Sequence, residues 1–81
     1  MDDKGEWTRQ AIDVMTAWSA HGGDTFAVAG RVGEYACAEP AGAMKLTVGF
    51  INLTAILLLQ LQESLGLDAE AILQDAAKVT L

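Results

Sequence analysis

The chain has 81 residues, 52% hydrophobic and 20% charged, with a net charge of −6. That apolar content excludes intrinsic disorder, and the acidic balance argues against nucleic acid, whose phosphates are bound by Lys and Arg releasing counterions. One Cys and one His can neither form a disulfide framework nor complete a zinc site within one chain, so no metal and no cofactor is expected.

A chain this short is one domain, 1–81, and buries roughly 60% of its unfolded surface. It is more apolar than so small an interior requires. The opening Met1-Asp2-Asp3-Lys4-Gly5-Glu6 lacks the basic start and apolar run of a signal peptide. With a lone Cys37, the expected location is cytoplasmic.

The first predicted helix covers about 5–20. Trp7, Ala11, Val14, Met15 and Trp18 recur at helical spacing and form one apolar stripe. Asp2, Asp3 and Glu6 sit at the end where the macrodipole favours anions, and His21-Gly22-Gly23 offers a left-handed C-cap. Glu6, Arg9 and Asp13 share a face and read as a solvated ion-pair ladder rather than as acid and base groups.

The second helix spans about 24–38, with Asp24 as N-cap and Pro40 just beyond it. Phe26, Ala29, Val32 and Ala36 follow a helical period, whereas Phe26, Val28, Gly30 and Val32 alternate as a strand would. The alanines, and the lack of a partner strand, favour helix. Ala29, Gly30, Gly33 and Ala36 are small enough for another helix to approach. Cys37, beside Glu34 and Glu39, reads as a small buried hydrophobe rather than a nucleophile.

The third helix, about 40–65, has Pro40 at its first position and Gly66 as its stop. Gly42 and Gly49 read as points of bending or fraying. From Leu46 to Gln62 there is no charge. On a wheel, Lys45, Gly49, Asn52, Gln60 and Glu63 fall in one polar stripe read as solvated, and the remaining arc carries two apolar faces. Leu46, Phe50, Leu53, Leu57 and Leu61 form the first. Val48, Ile51, Ala55, Leu58 and Leu59 form the second. A fourth helix, about 68–79, has Asp68 as its cap, Leu67 and Ile72 at staple positions, and Ile72, Leu73, Ala76 and Val79 on its apolar face.

These elements predict an all-α fold: a small four-helix bundle with a central, mostly apolar third helix, completed by dimerisation. A surface helix needs one apolar stripe and this one has two. The other three helices, a second copy or lipid must cover the surplus. Lipid is disfavoured, because the uncharged run is 17 residues and contains Asn52 and Gln60. The expected arrangement is a twofold homodimer that self-associates through Val48, Ile51, Ala55, Leu58 and Leu59. No catalytic constellation is present, and the predicted role is a non-enzymatic interaction or regulatory module whose acidic surface suits a basic protein partner. The alternative is a small apolar-ligand protein with a pocket formed by Trp7, Trp18, Phe26 and Phe50; a membrane-associated helix protein is third.

Overall fold

The computed structural model describes residues 3–80 and is all-α. Helix α1 spans Asp3–Ala20, α2 Ala29–Cys37, α3 Gly42–Leu65 and α4 Ala69–Val79; a 3₁₀ turn, Phe26–Val28, precedes α2. Within the predicted 24–38 segment the chain is helical in two pieces, Phe26–Val28 and Ala29–Cys37, and the strand alternative is not adopted. Asp2, expected at the start of α1, lies outside the described residues.

The helix ends follow the local chemistry of the sequence. Helix α1 closes in a Schellman motif: Gly23 N–H donates to the Trp18 carbonyl at 2.9 Å and Gly22 N–H to Ser19 at 3.2 Å, with Gly22 left-handed at φ 68°. The Trp18 indole lies over Gly23. Asp24 starts the 3₁₀ turn rather than α2 itself, its carboxylate accepting from Phe26 N–H at 3.0 Å. Val28, at φ −109° and ψ 1°, interrupts the helical geometry before α2 begins. Pro40 does not open α3. It sits inside a turn closed by Gly42 N–H to the Glu39 carbonyl at 2.9 Å, with Ala41 at φ −94° and ψ 10° as in a type I turn. Asp68 caps α4 by accepting from Ala71 N–H at 2.9 Å.

Helix α3 is the hub, touching α1, α2 and α4, while among the described elements α4 touches α3 alone. Two glycines set this arrangement. A Cβ on Gly42 would stand 2.6 Å from the Ala36 carbonyl oxygen, and one on Gly49 would collide with the carbonyl of Trp7. Both are buried. They are places where α2 and α1 press their backbones onto α3, not points of bending or fraying. Gly30 and Gly33, expected to admit a neighbouring helix, face open space.

The polar stripe of α3 is therefore not solvated in its first half. Gly49 is buried and Asn52 half-buried, with the Asn52 amide 3.5 Å from Thr8 Oγ1 on α1. Lys45 Nζ lies 5.8 Å from the centroid of Trp7 and donates to Glu39 Oε1 at 2.7 Å. The buried apolar core consists of Ala11, Val14, Val28 and Leu46. It lies around the first half of α3, and the second half is largely uncovered.

Candidate interaction surface

Because α1 and α2 pack on the glycine-bearing side of α3, its second apolar face is left largely toward solvent, while in the first face Leu46 is buried and Phe50 and Leu53 are half-buried. Among the residues predicted for self-association, Ile51 and Leu59 are each 62% exposed, Ala55 is exposed, and Val48 and Leu58 are half-buried. Ile51, Ala55 and Leu58 are brought together in a groove of about 410 Å³ between α3 and α4, with Phe50 at one wall and Leu73 of α4 at another. Leu59 is not among the residues that line this groove. Helix α4 covers α3 only partly: Ile72 is half-buried, but Leu73, Ala76 and Val79 of its apolar face are exposed.

The four aromatic residues predicted to line one pocket are separated. Trp18 and Phe50 meet in a cleft of about 560 Å³ between α1, the 3₁₀ turn, α2 and α3, together with Val14, Met15, Val28 and Val32. Trp7 instead carries Lys45 on its face. Phe26 is 90% exposed. Phe50 borders both the cleft and the α3–α4 groove, so the two apolar surfaces are continuous.

A third groove, about 590 Å³, runs between α1 and α3 along Ile12, Met15, Leu53 and Leu57. Its α1 side escaped the sequence reading because Ile12 lies off the Trp7–Trp18 stripe. The signal was present, since Ile12, Met15, Thr16 and Ser19 recur at helical spacing and serve as a second face. Two threonines in these grooves turn their hydroxyls to the backbone of their own helix. Thr16 in the α1–α3 groove donates its hydroxyl to the Ile12 carbonyl at 2.7 Å, and Thr47 in the α3–α4 groove donates to Ala43 at 2.8 Å. The hydroxyls of these two side chains are thereby satisfied internally.

Polar chemistry gathers at one place. Arg31 Nη1 donates to both Asp13 carboxylate oxygens, at 3.1 and 2.9 Å, and the Tyr35 hydroxyl donates to Asp13 Oδ2 at 2.6 Å. The Tyr35 hydroxyl and the Arg31 guanidinium hold the Asp13 carboxyl below its ordinary 3.8. The same bond to the Asp13 carboxylate raises the Tyr35 hydroxyl above 10.0. Arg31 and Tyr35 lie one turn apart on α2, so the trio clamps α2 to α1. The expected ladder on α1 is thereby divided: Arg9 pairs with Glu6 at 3.2 Å, and Asp13 serves the other helix. Cys37 is exposed, not the buried hydrophobe expected. Among the described residues no three His, Cys, Asp or Glu side chains are placed to hold a metal ion.

Comparisons with protein-family models, with curated proteins and with solved structures found no match to this chain.

Proposed function

We propose that this chain is a non-enzymatic helical interaction module that pairs with a second copy of itself, using the outer face of α3 and the α3–α4 groove. The observation that carries this reading is the amount of surface left uncovered. A compact monomer of 8.6 kDa exposes about 4,700 Å². This chain exposes 5932 Å², an excess of about 1,200 Å² over that scaling. A standard interface buries about 800 Å² on each partner, and obligate homodimers bury more. The surplus matches what a dimer removes. Extension points the same way: the Cα radius of gyration is 14.1 Å, against about 12 Å for a compact chain of this length.

In the dimer, Ile51, Ala55 and Leu58 of one copy meet the same residues of the other across a twofold axis, completing the bundle that each protomer leaves open. Glu63, Glu70 and Asp75 on α3 and α4 stay exposed, acidic charge suited to steering a basic protein surface toward the assembled module.

Helix α3 also has the length and apolarity of a membrane span, with an 18-residue stretch of mean hydropathy 1.7, of which 17% is buried. Close backbone packing of α1 and α2 at Gly49 and Gly42 favours the soluble dimer, because insertion would strip both helices from α3.

Light scattering on a size-exclusion column tests the reading, comparing the native chain with Ile51→Glu. Ile51 is exposed in the protomer, so the variant should fold and run at 8.6 kDa, while the native chain runs at twice that mass. A native mass of one chain at every concentration, or recovery only in detergent, overturns the proposal.

A further inference from the structure

Phe26 presents its ring to solvent at 90% exposure, more than any other large apolar residue described. It sits on the 3₁₀ turn whose neighbours, Thr25 and Val28, line the cleft formed with Val14, Met15, Trp18, Val32 and Phe50. A protruding aromatic side chain and an apolar cleft thus lie side by side on one protomer. Side by side is the arrangement that a twofold axis converts into mutual exchange, since residue i meets j and j meets i. We infer that Phe26 of each copy inserts into the Trp18–Phe50 cleft of the other, so that the dimer is locked by a reciprocal pair of aromatic anchors.

The inference rests on the self-association proposed above and adds a defined second contact to it. Three observations support a second copy as the occupant. The cleft continues across Phe50 into the α3–α4 groove, so a chain lying over one can reach the other. A volume of about 560 Å³ accommodates a phenyl ring. Apart from the Thr25 hydroxyl and the Trp18 indole N–H, the lining side chains are apolar, which suits a hydrocarbon ring more than a polar ligand. The Asp24 carboxylate fixes the Phe26 backbone N–H at 3.0 Å, so the turn that carries the ring is already in place and only the ring's own rotamers are ordered on docking.

The test uses the full chain. Half-labelled dimers, prepared by unfolding and refolding a mixture of ¹³C-labelled and unlabelled protein, should give isotope-filtered NOEs from the Phe26 ring to the methyls of Val28 and Val32 between copies. Phe26→Ala should keep its helicity, because the ring makes little contact within the protomer, yet weaken self-association about thirty-fold or more, as expected for a central aromatic anchor. Ala29→Phe, which plugs the cleft from its exposed rim, should weaken it similarly, and the two changes together should cost no more than one alone. A dimer that lacks the inter-copy NOEs, with a dissociation constant unmoved by Phe26→Ala, overturns the exchange while leaving pairing through α3 intact. NOEs found only within one chain overturn it as well. A monomer at all concentrations removes both proposals.

Discussion

Gly49 of α3 lies directly against the backbone carbonyl of Trp7 on α1, with no room between them for a methyl group. This contact sets how closely the two longest helices approach, and it turns the nominally polar stripe of α3 inward. Leu46 of the first apolar face stays in the core, and the second face, with Ile51, Ala55 and Leu59, is left toward solvent as a consequence. One hydrogen atom in place of a side chain therefore shapes the whole interaction surface.

Gly49→Ala should accordingly be costly. The backbone atom it meets cannot rotate away as a flexible side chain does, so α1 must move as a unit. Overpacking of this kind costs about 1–3 kcal/mol, and urea unfolding followed by circular dichroism should show a loss at the upper end of that range. A change smaller than half a kcal/mol, about the scatter of such comparisons, would mean that α1 is not seated on α3 at this point.

Gly33→Ala should act in the opposite direction. Gly33 lies inside α2, and a Cβ there meets nothing within 4 Å. Alanine is favoured over glycine in a helix interior by about 0.8–1.0 kcal/mol, partly because it restricts the unfolded chain. The same urea experiment should record a gain of this size. A loss would show that a partner chain occupies the open space beside α2.

These two glycines mark where the sequence was legible. The ends at Gly22, Gly66 and Asp68 were, because these residues act through bonds to their own neighbours along the chain, whereas Asp24 and Pro40 belong to turns ahead of α2 and α3 rather than to the helix starts expected of them. The helical character of residues 24–38 followed from spacing and alanine content. Periodicity alone also identified α3 as an apolar helix with surplus surface. What it did not yield was orientation. Lys45, Gly49 and Asn52 look solvent-facing on a wheel, but a stripe of small and polar residues is also where another backbone can come closest. Gly30 and Gly33 have the same composition as the contact glycines and pack against nothing. The Asp13 clamp was hidden for a similar reason, since its partners lie 18 and 22 residues away and carry no local pattern. The predicted four-aromatic pocket grouped residues by type, whereas Trp7 faces Lys45 and Phe26 stands exposed on the turn before α2.

Stability should depend on pH through that clamp, with a sign set by each partner. Asp13 has its folded value below 3.8, so its contribution is present above the unfolded value and is lost as pH falls through the folded one, in the acid range below about 4. Tyr35 has its folded value above 10.0; its contribution is present below that and is lost as pH rises through the folded value. Melting temperature followed from pH 2 to 12 should decline at both ends. Asp13→Asn should remove most of the acid decline assigned to this carboxyl, and Tyr35→Phe should flatten the alkaline one. An ultraviolet titration of native Tyr35 with its midpoint at or below 10 would dissolve the clamp as described.

Salt separates the two kinds of association open to this molecule. Each copy carries a charge of −6, and Arg9, Arg31 and Lys45 are already paired within the protomer. Two such copies repel one another as their apolar faces meet. The Debye length is about 10 Å at 0.1 M salt, so raising NaCl from 0.05 to 0.5 M screens much of that repulsion while leaving the apolar contact in place. Self-association should therefore tighten several-fold over this range, read as a falling dissociation constant by sedimentation equilibrium. Binding of a basic partner to the acidic charge of α3 and α4 should weaken over the same range, because screening there removes attraction. Self-association that loosens with salt would place opposite charges, not Ile51 and Leu58, at the centre of the interface.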